Sequence, residues 1–560
     1  GSKANKTFLC KGRPPVPFDL LSLNIGSTPR IDVVPGAENF ATPVKPISRF
    51  VDRWDRLLKR IIENPGSHQI GVVGAGAAGV ELLLAAQFRL QNTLRELGRS
   101  SENLTFHLVS KSKRILPGFP VSVGERFEHI LKKRNVILHK GVEATEIMDG
   151  ILLLSDGTRL ELSEVLFVTA AKAETWLGDS GFEVDENGFV KVEDTLQVLN
   201  HPEIFAAGDI AHVINHPRPK AGVFAVRQGT ALGKNLRRVL LNKSPKPFSP
   251  QKLVLALISS GDKYCVANRG AFTLGGKWLW LWKDWIDRRF INKFSVLPKM
   301  SQDETLTFDP ALAKSSTIKE ISNIAMRCGG CGAKVGASVL NRALSELKPT
   351  PRDDVLIGLQ DPDDAAVVEV PQGKVIVHTV DYFRSFIDDP YLFGKISANH
   401  SLSDIFAMGA EAQSALAIAT VPYGIETKVE ETLRQLMAGA MEMLKDANAA
   451  LVGGHTSEGT ELALGFSVNG LVDKNRILRK GGMQPGEVLI LTKPLGTGTL
   501  FAADMQQKAK GRWIDEALSS MILSNRSAAD CLFEHGATAC TDITGFGLLG
   551  HMIEMIKPSG

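Results

Sequence analysis

The chain has 560 residues, 44% of them hydrophobic and 22% charged, with a formal net charge of +4. That length exceeds one hydrophobic core, so several domains are expected, and the small net charge argues against a nucleic-acid or membrane-surface partner. Six cysteines form no disulfide framework, which points to a reducing cytoplasm; there is no signal peptide and no apolar run of about 18 residues that would span a membrane.

Residues 3–69 are extended and turn-rich, with a strand and turn over Phe18–Gly26. Residues 70–116 read as strand, Gly-rich turn, long helix and strand. Short apolar runs broken by Asp149-Gly150 and Asp156-Gly157 predict a small antiparallel sheet within 136–170. A loop, short strand and helix follow over 200–242, then a strand pair and an aromatic segment, Trp278-Leu-Trp-Leu-Trp282, within 252–295. Such an aromatic stripe is more often core or dimer interface than membrane contact, which is not expected here. Residues 296–325 are polar and mixed and read as a linker. Beyond it, strands are predicted over 365–370, 374–380, 412–421 and 461–472, and helices over 335–347, 391–409 and 427–448. A strand at Glu487–Thr492 opens a further region, which ends in a helix from about Gly547.

Ile70-Gly-Val-Val-Gly-Ala-Gly-Ala-Ala-Gly79 places Gly74, Gly76 and Gly79 between an apolar strand and a helix. In that context the first glycine permits a tight turn and the second lets the backbone approach a pyrophosphate at the helix N-terminus. The next strand, Leu104–Val109, runs into Ser110-Lys-Ser-Lys-Arg114 with no carboxylate for a ribose 2′-hydroxyl. A 2′-phosphate, and hence NADP, fits this loop as well as NAD. Asn200-His-Pro-Glu-Ile-Phe-Ala-Ala-Gly-Asp209 resembles the second flavin motif of the two-dinucleotide-binding reductases, and Pro219–Gly229 resembles their segment beside the flavin ring. The resemblance covers about residues 17–295 and is closest to single-flavin NADH dehydrogenases. It implies FAD and NAD(P)H as cofactors, with Asp209 holding the ribityl chain. The opening flavin glycine motif of that family is absent, so the chain is read as starting inside the FAD domain. Only Cys10 and Cys265 lie in this half, which disfavours a disulfide reductase.

No Walker A loop is present, so triphosphate charge must be met by carboxylates and Mg²⁺. Asp364 precedes an apolar strand, Asp381 ends one, Asp404 lies among Ile405, Phe406 and Met408 on a helix, and Asp542 sits in a Gly-rich turn. Each alone suits a cap or a solvated surface; four in such settings favour a metal site. Upstream, Cys331 and Lys334 stand three residues apart in Arg327-Cys-Gly-Gly-Cys-Gly-Ala-Lys334. A nearby ammonium lowers a thiol's pKa and suits a soft nucleophile. Half of a zinc site is the other reading of Cys328 and Cys331, but no second cysteine pair has the spacing.

This series resembles selenophosphate synthetase (selenide, water dikinase) over residues 326–560. The resemblance implies Cys331 and Lys334 as catalytic and Asp364, Asp404 and Asp542 as Mg²⁺ ligands. It implies ATP contacts at Asp361, Pro362, Asp363, Asp381, Asp404, Gly454, His455 and Thr456. His400 stands one helical turn before Asp404, and the family does not use it as a ligand. The implied reaction turns ATP, selenide and water into selenophosphate, AMP and phosphate. A homodimer through this half is also implied, and the family's final portion is missing from the chain.

The expected organisation is therefore α/β and α+β multidomain. A Rossmann-type two-dinucleotide-binding reductase region (1–295) and a linker (296–325) precede a synthetase-superfamily half like aminoimidazole ribonucleotide synthetase. That half comprises an ATP-binding domain (326–475) and the start of a second domain (476–560). The fusion motivates a reductase that supplies reduced selenium. The alternative is an NAD(P)H dehydrogenase whose second half is non-catalytic, or belongs to another branch of the superfamily such as thiamine monophosphate kinase. The Cys331/Lys334 pair favours the selenium enzyme.

Overall fold

The computed structural model describes residues 6–45, 47–64, 66–169, 171–251, 253–295, 335–345, 347–359 and 365–560. The linker, Cys328, Cys331, Lys334 and Asp361 to Asp364 lie outside the described residues. The chain divides into two compact units, Phe18–Glu304 and Thr305–Gly560, the latter joined by Gly1–Pro17.

The Phe18–Glu304 unit opens with β1 (Leu21–Leu23), β2 (Thr42–Pro43) and α1 (Ile47–Glu63). Then come β3 (His68–Val73), α2 (Ala77–Glu96), β4 (Leu104–Ser110), α3 (Val121–Lys133), β5 (Val136–Lys140) and β6 (Glu164–Phe167). One parallel sheet runs in the order β2-β6-β3-β4-β5. Ile70, Val72, Phe106 and Leu108 are buried in its middle strands, whose near-continuous apolar runs suit a sheet covered on both faces. The predicted small antiparallel sheet is present over Ala144–Glu161.

A second sheet is mixed. Its strands are β7 (Val190–Val192), β8 (Gln197–Val198), β9 (His201–Ala206) and β10 (Ala211–Val213), ordered β10-β7-β8-β9-β1. Helix α4 (Gly222–Leu240) packs beside it, burying Phe224 and Leu232. The expected strand pair near 252–295 is a three-stranded antiparallel sheet, β11 (Ala256–Ser259), β12 (Cys265–Arg269) and β13 (Phe272–Gly276). The aromatic segment begins helix α5 (Lys277–Ser295). Of its stripe only Leu279 is fully buried, while Trp278, Leu281, Trp282 and Trp285 are exposed. The stripe is therefore core only at Leu279 and Trp280, which pack with Cys265 and Ala267. No described helix is long and apolar enough to cross a membrane.

The Thr305–Gly560 unit contains α6 (Ala337–Ser345), β14 (Lys374–Arg384), α7 (Pro390–Ala407), β15 (Glu411–Pro422), α8 (Glu426–Asp446), β16 (Ala450–Gly459) and β17 (Ala463–Asp473). The sheet order is β14-β17-β15-β16, antiparallel except for the parallel β15-β16 pair. Helices α7 and α8 pack closely because neither has a side chain at the crossing. A Cβ on Gly394 would lie 2.0 Å from the Leu436 carbonyl oxygen, and one on Gly439 would lie 1.9 Å from that of Tyr391. Short helices α9 (Thr497–Met505), α10 (Gly511–Ile522), α11 (Arg526–Glu534) and α12 (Gly547–Ile556) complete the unit.

Three expectations differ from the structure. Within residues 3–69, read as extended and turn-rich, Ile47–Glu63 forms the amphipathic helix α1, which buries Leu57 and Ile61. Glu487–Thr492 forms no strand: among the described residues no strand pairs with it, and Val488 is 82% exposed. Residues 6–17 pack with the C-terminal unit rather than with the reductase region to which the sequence reading assigned them. The cause is a set of polar contacts. The Arg13 guanidinium donates to both oxygens of Asp389 at 2.7 and 3.1 Å, the carboxylate that caps the N-terminus of α7. Arg434 donates to the Pro15 carbonyl at 2.9 Å.

Candidate functional site

In the Phe18–Glu304 unit the turn between β3 and α2 has the geometry its glycines require. Gly74 has φ +118°, and a Cβ there would meet the Val168 carbonyl oxygen at 2.0 Å. A Cβ on Gly79 would lie 1.8 Å from the Gly74 oxygen, so this glycine lets the helix close on the turn. Gly76 faces open space, leaving bare backbone at the start of α2 for a pyrophosphate. Of the basic residues beyond β4, Arg114 is occupied by the carbonyls of Pro117 and Phe119 (2.9 and 3.0 Å) and Lys111 pairs with Glu143 at 2.8 Å. They mainly shape the loop, so NAD and NADP both remain compatible with it.

Asp209 follows β9 and lines a cavity of about 600 Å³. Its carboxylate accepts from Lys45 Nζ at 2.8 Å and from the Ser27 hydroxyl at 3.1 Å. Gly208 (φ +77°) donates its N–H to the buried Gln228 side chain at 2.7 Å, and a Cβ there would meet Asn24 Oδ1 at 2.7 Å. On the same cavity His212 Nδ1 meets Asp185 Oδ2 at 2.8 Å. Lys220 donates to the Ala211 carbonyl at 2.8 Å and lies 3.8 Å over the Phe189 ring. Burial pushes the Lys220 ammonium below its ordinary pKa, against the pull of Asp185 and Asp209. The buried Thr169 hydroxyl, also in the lining, has no partner among the described residues. A cavity of cofactor size, an anchored carboxylate and an unpartnered buried hydroxyl fit a polar flavin portion. Sequence reading did not single out Lys45, Asp185 or His212, because they come from separate segments and share no motif; Lys220 lies within Pro219–Gly229, the segment already noted for its resemblance to the one beside the flavin ring. Cys265 is buried and its thiol is pushed up to about 11 by burial, so it is redox-inert here.

In the C-terminal unit three candidate aspartates converge. Asp381 comes from β14, Asp404 from the last turns of α7, and Asp542 from the turn before α12. Thr379, on the same face of β14 as Asp381, donates to Asp404 Oδ2 at 2.5 Å. His400 Nε2 lies 3.8 Å from Asp381 Oδ2. Contacts between α7 and the segment bearing α10 and α11 hold that segment against the helix. Asn399 donates to the Met521 and Leu523 carbonyls at 2.7 and 2.9 Å, and Asn525 donates to the Ser403 hydroxyl at 3.0 Å.

The Asp542 carboxylate lies within electrostatic range of Asp404. Burial and that neighbouring carboxylate raise the Asp542 pKa, while His400 and His551 oppose them. Burial also raises Asp381, offset by His400 and reinforced by Asp404. Neighbouring half-buried carboxylates favour a shared proton or a cation between them, and hard oxygens suit Mg²⁺. Among the described residues no three metal-ligating side chains are close enough to hold an ion by themselves. Gly454, His455 and Thr456 lie on β16, which the sequence reading had not identified as a strand. The Thr456 carbonyl accepts from Val335 N–H at 3.4 Å, so the residue after Lys334 is held at this nucleotide-binding candidate.

Comparison with known proteins agrees with the two-part architecture. Residues 3–229 match the family model of pyridine nucleotide-disulphide oxidoreductases. Residues 362–472 and 484–560 match the N- and C-terminal domains of AIR synthase related proteins. A selenide, water dikinase of Geobacter metallireducens is 42% identical over 236 residues, 42% of this chain and 68% of that protein. One of Nitratidesulfovibrio vulgaris is 40% identical over 243 residues, 42% of this chain and 67% of that protein. The chain belongs to the selenide, water dikinase family. This family member carries a pyridine nucleotide oxidoreductase domain fused ahead of its dikinase half. Among solved structures, NDH2 from Plasmodium falciparum in complex with NADH has a TM-score of 0.44 and 12% identity, covering 50% of this chain and 76% of that one. The family expectation, the fold class and the enzyme reading drawn from the sequence all hold.

Proposed function

We propose that the C-terminal half makes selenophosphate from ATP, selenide and water, releasing AMP and phosphate. The convergence of Asp381, Asp404 and Asp542 from a strand, a helix and a distant turn carries this reading. Asp364, Asp404 and Asp542 hold Mg²⁺, which when bound neutralises phosphate charge. Asp381 and Asp404, with Asp361, Pro362, Asp363 and the Gly454-His455-Thr456 strand, position ATP. Cys331 carries selenium, and Lys334 meets charge growing on the transferred phosphoryl group. Selenide and free thiols require reducing conditions, which agrees with a cytoplasmic enzyme.

In the oxidoreductase half, Gly74, Gly76 and Gly79 admit NAD(P)H. Asp209, anchored by Lys45, holds the ribityl end of FAD. The role we assign to this half is the supply of reduced selenium to its neighbour. We also assign a homodimer to the dikinase half. Among the described residues the face of its sheet away from α7 and α8 is open, with Val380 61% and Tyr382 47% exposed on β14 and Leu416 exposed on β15, across β17 from Val380.

The deciding experiment is anaerobic incubation with ATP, Mg²⁺ and selenide, read by phosphorus NMR, with Cys331→Ser and Asp404→Ala in parallel. Selenophosphate and AMP that vanish in both variants support the proposal. ATP turnover that persists in Cys331→Ser without selenophosphate assigns this half to another branch of the superfamily. Flavin absorbance with NAD(P)H oxidation tests the first half separately.

A further inference from the structure

The later part of α4 and the loop after it line a second, open cavity of about 510 Å³, which shares no lining residue with the one beside Asp209. Six cations line it: Arg227, Lys234, Arg237, Arg238, Lys243 and Lys246, with no carboxylate in the lining. Arg227, Lys234 and Arg238 are spaced seven and four residues apart, which puts them on one helical face. Lys243 and Lys246 reach the same space because the chain reverses at Asn242, whose φ is +54°.

The reversal is fixed by hydrogen bonds. Asn235 is 2% exposed; its amide nitrogen donates to the Thr195 and Lys246 carbonyls at 2.9 and 2.8 Å. Its amide oxygen accepts from Lys246 N–H at 2.9 Å. Arg238 Nε donates to the Ser244 carbonyl at 2.6 Å. A buried amide and a guanidinium thus hold like charges together against their mutual repulsion. The negative C-terminal end of α4 accounts for Arg237 and Arg238 in its last turn. It does not reach Arg227, and it leaves Lys234, Lys243 and Lys246 without a carboxylate partner among the described residues.

We propose that this cavity binds a polyphosphate chain, either free or as the tail of a nucleotide. Several cationic N–H donors around a small volume match closely spaced phosphoryl oxygens. The lining contains no aromatic side chain on which a base could stack, so phosphate rather than base is read. The chain's net charge of only +4 also disfavours the broad basic surface of an RNA-binding protein.

The test is calorimetric titration of the full chain with inorganic tripolyphosphate, alongside a Lys243→Ser/Lys246→Ser double variant. Both lysines are exposed, so folding is preserved, and an unchanged thermal transition checks this. A loss of at least about ten-fold in affinity, or ~1.4 kcal/mol, is expected in the double variant. Repeating the titration with ATP in an Asp404→Asn background separates the two sources. Comparable ATP affinity identifies a nucleotide tail, and binding of tripolyphosphate alone identifies the free chain. Unchanged affinity in the double variant overturns the proposal. So does complete displacement by equimolar sulfate, or an RNA oligonucleotide that binds more tightly than tripolyphosphate through the same lysines.

Discussion

The Thr379 hydroxyl donates to Oδ2 of Asp404 at 2.5 Å, joining an edge strand to the helix that carries the carboxylate. That bond fixes which Asp404 oxygen faces the cluster. A partner of this kind orients a metal ligand, and its removal typically weakens metal binding about 10- to 100-fold. Thr379→Val is therefore expected to raise the Mg²⁺ concentration for half-maximal ATP turnover by that factor, with a smaller change at saturating Mg²⁺. An unchanged Mg²⁺ dependence would reduce Thr379 to a packing contact.

Asp404 is set against Asp542, and like charges in a half-buried site oppose folding. Asp404→Asn removes that opposition together with the candidate metal ligand. Without Mg²⁺ the variant should be as stable as the parent or more so, by up to ~1 kcal/mol, while dikinase turnover falls more than about 100-fold. Urea unfolding in EDTA, measured beside turnover, checks both. A variant that is destabilised and still active would remove Asp404 from the site.

Much of this arrangement was legible in the sequence. Gly74, Gly76 and Gly79 lie between strand and helix because the motif is local, with each glycine's function set by its immediate neighbours. Asp381, Asp404 and Asp542 were identifiable as candidates from their own contexts. Their proximity depends on Asn399 and Asn525 tying distant segments together, which no periodicity encodes. The same holds for Lys45 with Asp209 and for the docking of Arg13 on Asp389. Glu487–Thr492 has a strand's composition, but a strand also needs an edge to pair with, and its sequence cannot supply one.

The open face of the β14-β17-β15-β16 sheet gives the dimer proposal a direct handle. Val380 is exposed within one subunit, so Val380→Asp should leave the subunit's unfolding midpoint within about 0.5 kcal/mol of the parent. A charge buried in a subunit interface without a partner is costly, so the variant should sediment as a monomer at concentrations where the parent is a dimer. Two forms with identical sedimentation would mean that this face is not the contact.

His107 provides a pH-dependent reporter of the dinucleotide-binding sheet. It is 4% exposed on β4, with Nδ1 3.1 Å from His139 Nε2 on β5 and Nε2 3.1 Å from Gln69 Oε1 on β3. Burial, with the neighbouring His139, pushes its pKa from 6.5 to about 4. A neutral His107 can accept from His139 and donate to Gln69; protonation sets two N–H groups against each other. Because the folded-state pKa is depressed, the unfolded chain binds the proton first as pH falls. Stability is full above about pH 6.5, declines toward pH 4 by up to ~3 kcal/mol, and levels off below. His107→Gln should flatten this dependence for the unfolding transition of the Phe18–Glu304 unit, followed by urea midpoints across that range. A parent and variant with parallel pH profiles would show that the imidazole pair does not titrate with folding.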